Sequence, residues 1–246
     1  HIYHKILQML TDEQHEQHFN ELKSTLAEHI HLFPLEEAKD MYAYAQNYCV
    51  RRINNGDASY LEELFELYRT SLDRRVMYTG RYLAPWSYKN IASVALRLRQ
   101  YNWVEQFIHN YKENLPPKQR ENAFNFNLAC LEFHRENYEI AHSLLTSVEF
   151  TDDVFYQLDT KSMLLRIFYE LDELDPLLSL MESFKVYLRR NKSISNYQRN
   201  IYMNLIQFLR ELLKIPPGDK DKCKQLKQRI EETRELAYSI WLSKKV

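Results

Sequence analysis

Two stretches of this 246-residue chain overlay on one another when one is shifted by 37 positions. In IASVALRLRQYNWVEQFIHNYKENLP and LACLEFHRENYEIAHSLLTSVEFTDD, Ile91-Ala92 meets Leu128-Ala129, Tyr101 meets Tyr138, Val104 meets Ala141 and Ile108 meets Leu145. Another 37 residues bring Leu165-Arg166, with Tyr169 four beyond Leu165, and 37 more bring Tyr202-Met203. In the second half of the third unit, Leu177, Met181 and Phe184 follow Ala141, Leu145 and Val148 at an offset of 36. A period of this length suits one helical hairpin, and hairpins in series bury their apolar faces by stacking on their neighbours.

The rest of the chain reads in the same way. Leu61, Leu64, Phe65, Tyr68, Leu72 and Val76 recur at spacings of three and four and predict one apolar helix stripe. Only three Gly occur, too few for a fold rich in tight turns, and the prolines at 34, 85, 116-117, 176 and 216-217 fall where the stripes end. Gly56 is placed to end a helix in a left-handed turn, Ser59 with Glu62 to form a capping box, and Asp175-Pro176 to serve as N-cap and first helical residue. The expectation is an all-α chain of roughly a dozen helices, paired as antiparallel hairpins, with no strand. One continuous domain is expected, with N-terminal hairpins over 1–84, the degenerate repeats over 85–215 and a C-terminal capping helix in 216–246, from about Asp219 to Ser243.

This pattern resembles the tetratricopeptide repeat superfamily, on Leu128-Ala129, Tyr138, Ala141 and Leu145, and on Ile91-Ala92 with Pro116 in the preceding unit. It is also similar to bacterial helical-repeat proteins that carry no assigned function. Asn125 and Glu132 stand where the family prefers aromatics, Asp153 stands where its proline would, and 37 exceeds the usual spacing of about 34. The resemblance implies a right-handed α-solenoid whose first helices line a concave face. Carried onto this chain, that face would present Lys89, Ser93 and Arg97, then Phe126, Cys130, Phe133 and His134, then Asn200, Asn204 and Gln207. A protein or extended peptide is the partner such a face implies. A ligand held by its C-terminal carboxylate is not expected, because Phe126 and Met163 stand where Lys89 has its counterparts.

Other chemistries find less support. Cys130 and His134 share a helix face at i, i+4, but they lie in mid-helix, where backbone amides are already bonded and offer no oxyanion site. His15 and His18 are three apart, with His4, His29 and His31 nearby in sequence, yet no H-E-x-x-H pattern or third ligand is evident. Three cysteines without a CxxC predict reduced thiols, and no glycine-rich nucleotide loop is present. No cofactor or metal is expected. The net charge of -1 conceals a gradient: residues 185–246 carry 15 Lys and Arg against 6 Asp and Glu, which from totals of 33 and 34 leaves 18 against 28 upstream. Acidic residues interrupt the basic stretch KDKCKQLKQR and no aromatic lies within it, which argues against nucleic acid. The 18 tyrosines, Tyr44 and Tyr48 on one face among them, suit interfaces as well as half-buried packing.

No run of 18 apolar residues is present and the start lacks a basic signal-peptide n-region, so a cytoplasmic protein outside the membrane is expected. The first residue is His, which suggests a fragment. The sequence therefore predicts a non-enzymatic scaffold or adaptor. Two alternatives stay open: a hydrolase using Cys130 and His134 or a metal, and a regulatory or oligomerisation region of a longer protein.

Overall fold

The computed structural model describes residues 16–148 and 153–246. The described residues are helical almost throughout and divide into two compact units, one ending at Val148 and the other containing residues 153–246. The boundary falls within the stretch where the 37-residue recurrence was read. No described helix is long and apolar enough to cross a membrane.

In the first unit α1 (Glu16–His29), α2 (Leu35–Asn54), α3 (Tyr60–Asp73), α4 (Pro85–Arg97), α5 (Tyr101–Asn110), α6 (Arg120–His134) and α7 (Tyr138–Thr146) follow in order. Each packs on the next, and α4 also packs on α6. The stripe read on α3 is buried, from Leu61 to Leu72, and continues to Val76 beyond the helix. Phe65 of the stripe meets Trp103 edge-on at 4.7 Å, Trp103 stacks on Phe107 at 5.1 Å with Tyr88 beside it, and elsewhere in the unit's core Phe19 stacks on Tyr48 at 5.0 Å. Gly56 follows α2 with φ +96°, as its position predicted. Ser59 does not cap α3, because its hydroxyl is drawn to Asp57 Oδ1 at 2.6 Å. Against expectation, a strand pair of two residues each, β1 (Tyr78–Thr79) and β2 (Tyr82–Leu83), turns through Gly80 at φ +60°.

The second unit holds α8 (Val154–Glu170), α9 (Leu174–Arg190), α10 (Asn196–Leu212), α11 (Lys220–Glu232) and α12 (Ser239–Ser243). Asp153 caps α8, its carboxylate accepting from the amides of Phe155 and Tyr156. The α9 N-cap is Glu173, so Asp175 and Pro176 lie inside the first turn rather than at its edge. Ser195 and Gln198 form the capping box of α10. The expected single capping helix is broken: residues 233–238 separate α11 from α12, and Tyr238 takes a left-handed φ of +56°.

The same turn closes α4 onto α5, α6 onto α7 and α8 onto α9. Arg99, Glu136 and Asp172 take φ of +57°, +65° and +57°, at spacings of 37 and 36 residues. In each case the left-handed residue's amide bonds the carbonyl three back, and the next amide bonds the carbonyl five back. That is the pairing of a Schellman motif, made here without glycine.

Candidate functional site

The polar residues expected to face a partner are divided between the units. On α4, Ser93 and Arg97 are exposed and Lys89 is half-buried. On α6, His134 is exposed, with its ring 6.3 Å from Tyr101, and Cys130 is half-buried. Phe126 and Phe133 are corrections to the expected face, since at 3% and 7% exposure they are interior residues with no surface to offer a ligand. Glu132 explains its own departure from the family pattern. It is a buried carboxylate that accepts from Arg135 at 3.1 Å and from Asn137 at 2.7 Å, while Arg135 reaches Glu105 on α5 at 2.7 Å. That network ties the α6–α7 turn to α5, a structural task.

The remaining three residues converge. Asn200, Asn204 and Gln207 follow one another along α10 at spacings of four and three, on neighbouring positions of one face. Asn204 and Gln207 border a depression of about 290 Å³ with Phe208, Arg229, Glu232 and Thr233. Arg229 of α11 grips Glu211 through two contacts, 2.6 and 3.3 Å, and lies 5.3 Å over the Phe208 ring. This pairing holds the Glu211 carboxyl below the usual carboxylate range, with Gln207 adding a bond at 3.0 Å.

Asn200 and Asn204 are already engaged by the chain itself. Residues 233–238 cross α10, and Asn204 Nδ2 donates to the Glu235 carbonyl at 2.7 Å while Asn200 Nδ2 donates to the Glu235 carboxylate at 2.9 Å. The Ala237 amide donates to the Ile201 carbonyl at 3.2 Å. Beyond it, the Tyr238 ring lies 3.7 Å from the Arg166 guanidinium of α8, and its hydroxyl accepts from Ser162 at 3.1 Å. Tyr202 joins the two helices, its buried hydroxyl donating to Asp159 at 3.2 Å, and burial with the nearby carboxylate pushes that phenol far up. At the far end of α8, Glu170 accepts from Trp241 Nε1 at 2.7 Å and from Lys245 at 2.6 Å.

Sequence reasoning missed Ser162, Arg166, Glu170 and Tyr238. The one available signal was Arg166, a cation at the position that Ala92 and Ala129 fill in the preceding units.

The other candidates gather nothing further. His4 and His15 lie outside the described residues, and no group of three His, Cys, Asp or Glu suited to a metal occurs among those described. Cys49 is fully buried, and burial, reinforced by Glu63, pushes its thiol up to about 12. Tyr48 is buried against Phe19, while Tyr44, one turn earlier, is 41% exposed. Compared with known proteins, the chain matches no family model, no curated protein and no solved structure.

Proposed function

We propose that this chain is a tetratricopeptide-like helical-repeat scaffold that binds a protein or an extended peptide, without catalysis, on the face presented by α10 and α8. One observation carries the reading: Asn204 bonds a main-chain carbonyl of a bent, non-helical segment lying across α10. A bond to main chain is indifferent to side-chain identity, and it is the means by which a helical face holds an irregular peptide. Next to it, the depression bordered by Asn204, Gln207, Arg229 and Glu232 offers amide, guanidinium and carboxylate groups. That combination suits a peptide whose polar groups both donate and accept. The exposed Ser93, Arg97 and His134 of the first unit give this scaffold further polar surface. A cytoplasmic setting fits three cysteines that form no disulfide.

The test is selection of binding peptides from a displayed library on the full chain, repeated on Asn204→Arg. Enrichment of extended peptides whose affinity falls at least tenfold on Asn204→Arg is the expected result. A selection that enriches nothing, or peptides indifferent to Asn204→Arg, would reject the α10 face. The hydrolase alternative has its own check. A nucleophilic Cys130 would react with iodoacetamide well below pH 8 and lose that reactivity on His134→Ala. Reactivity unchanged by His134→Ala is the expected result.

A further inference from the structure

From Arg74 to Val104 the chain runs 31 residues without an Asp or Glu while carrying five Arg and one Lys. The rest of residues 16–148 hold 9 Lys and Arg against 17 Asp and Glu, so cations gather in one part of an acidic unit. Elsewhere in this unit arginines meet carboxylates: Arg52 meets Asp57, Arg69 Glu66, Arg120 Glu113 and Arg135 Glu105. Arg74, Arg75, Arg81, Arg97 and Arg99 are all exposed, and none of them is paired with a carboxylate among the described residues. We infer that α4 and the β1–β2 turn before it present a surface for single-stranded nucleic acid, with a base stacked on Trp86 and phosphates received by Arg81 and Arg97. This goes beyond the peptide-binding reading of α10 and does not depend on it.

Trp86, Asn90, Ser93 and Arg97 follow one another along α4 at spacings of four, three and four, which aligns them on one face over about 16 Å. Trp86 is 61% exposed, and among the described residues no ring or cation covers its indole. Only Ala84 separates α4 from β2, and Arg81 lies in the turn of that hairpin, 4.9 Å over the Tyr82 ring. Arg75 lies 4.7 Å over Tyr78 in the same way. Stacking on a ring steadies a guanidinium and leaves most of its N–H donors for a forked bond to phosphate. At Arg97, loss of hydration against the protein lowers the guanidinium pKa, and no carboxylate offsets the shift. Unpaired cations beside an open aromatic face are what a sequence-tolerant single-strand site requires, and the basic stretch of α11 lacks the aromatic half. An acidic peptide would satisfy the arginines but leave the indole unmet. The helix dipole accounts for cations at the C-terminal ends of α3 and α4, but neither for Arg81 in the turn nor for the absence of acids across the whole segment.

The experiment uses the full chain, with fluorescein-labelled oligothymidylate and oligouridylate as probes, read by anisotropy across a salt series and by tryptophan fluorescence. Both probes should bind at low salt and quench the tryptophan signal, and the tighter of the two identifies the preferred sugar. Arg81→Gln/Arg97→Gln should weaken binding at least tenfold and flatten the slope of log K against log salt by about 1.4, the value for two lost single-strand phosphate contacts. Trp86→Ala should weaken binding about fivefold or more, as loss of one stacked base requires, with the salt slope unchanged and the quench abolished. A chain that binds neither probe would overturn the inference. Polyglutamate bound as tightly as the oligonucleotides, with Trp86→Ala indifferent, would make this a surface for acidic peptides and overturn it as well. Binding that survives Arg81→Gln/Arg97→Gln but is lost on Lys220→Gln/Lys224→Gln would move the contact to α11 and end the proposal. Should the double variant lose helical circular dichroism, Arg81→Gln alone takes its place, with a slope change of about 0.7. None of these outcomes touches the α10 face, which the peptide selection tests separately.

Discussion

Ala92 and Ala129 in the first unit, and Arg166 in the second, occupy one position of the 37-residue recurrence and have opposite surroundings. Both alanines are fully buried, and a methyl group there lets a helix come close to its neighbour. Arg166 is also buried, but its bulk and charge are accommodated because Tyr238 lies on the guanidinium and the Ser162 carbonyl takes its Nε–H. The same place in the pattern thus serves close packing in one unit and reception of an aromatic side chain in the other. A recurring pattern fixes where a side chain sits, while the segment laid over it decides what that side chain is for.

Exchanging the two environments should produce the largest effect. Ala129→Arg would put a cation where no aromatic covers it, and an unpaired buried charge destabilises by roughly 3–5 kcal/mol. The first unit's urea transition should fall accordingly, and a change within a few tenths would show that the position can open to water. The reverse exchange, Arg166→Ala, should be milder, about 1–2 kcal/mol, since it removes one desolvated cation–aromatic contact and some packing. A double-mutant cycle with Tyr238→Ala should return a coupling of about 1 kcal/mol or more. Additive effects would mean that ring and guanidinium are neighbours without being partners. Next in size, Glu170→Gln keeps the shape but weakens the hold on Trp241 and Lys245, for about 1 kcal/mol. Faster exchange of the Trp241 indole N–H is its signature.

Helix type was legible because burial imposes a period on the sequence: Leu61, Leu64, Phe65, Tyr68, Leu72 and Val76 were read as one stripe and all are buried. Gly56 was legible for a steric reason. Ser59 was misread because a carboxylate two residues away competes for its hydroxyl, and Asp175-Pro176 because Glu173 begins the helix sooner. The strand pair is too short to show any alternation. On α10, Asn200, Asn204 and Gln207 were read together only through the resemblance to tetratricopeptide repeats. Their partner was not, because Asn204 meets Glu235 across 31 residues of sequence and Ser162 meets Tyr238 across 76. Phe126 and Phe133 failed as surface residues because a spacing rule gives an angle around the helix and says nothing of what is packed against it.

The smallest expected effect concerns pH, and it separates the rim of the depression from the tail contacts beside it. Arg229 holds the Glu211 carboxyl below its ordinary value, so the pair favours the folded state most fully above the unfolded carboxylate pKa, about 4.3. That contribution fades as the pH falls through the lower, folded value, because the folded state must then give up a charge that the unfolded state has already lost. Half-exposed side chains limit the pair to about 0.5 kcal/mol after screening. Arg229→Gln should therefore lower the urea midpoint slightly at pH 6, and the gap to the parent chain should close towards pH 3.5 and in high salt. A gap that persisted in acid would assign the loss to the Phe208 contact under Arg229, leaving the ion pair with no measurable part in holding α11 to α10.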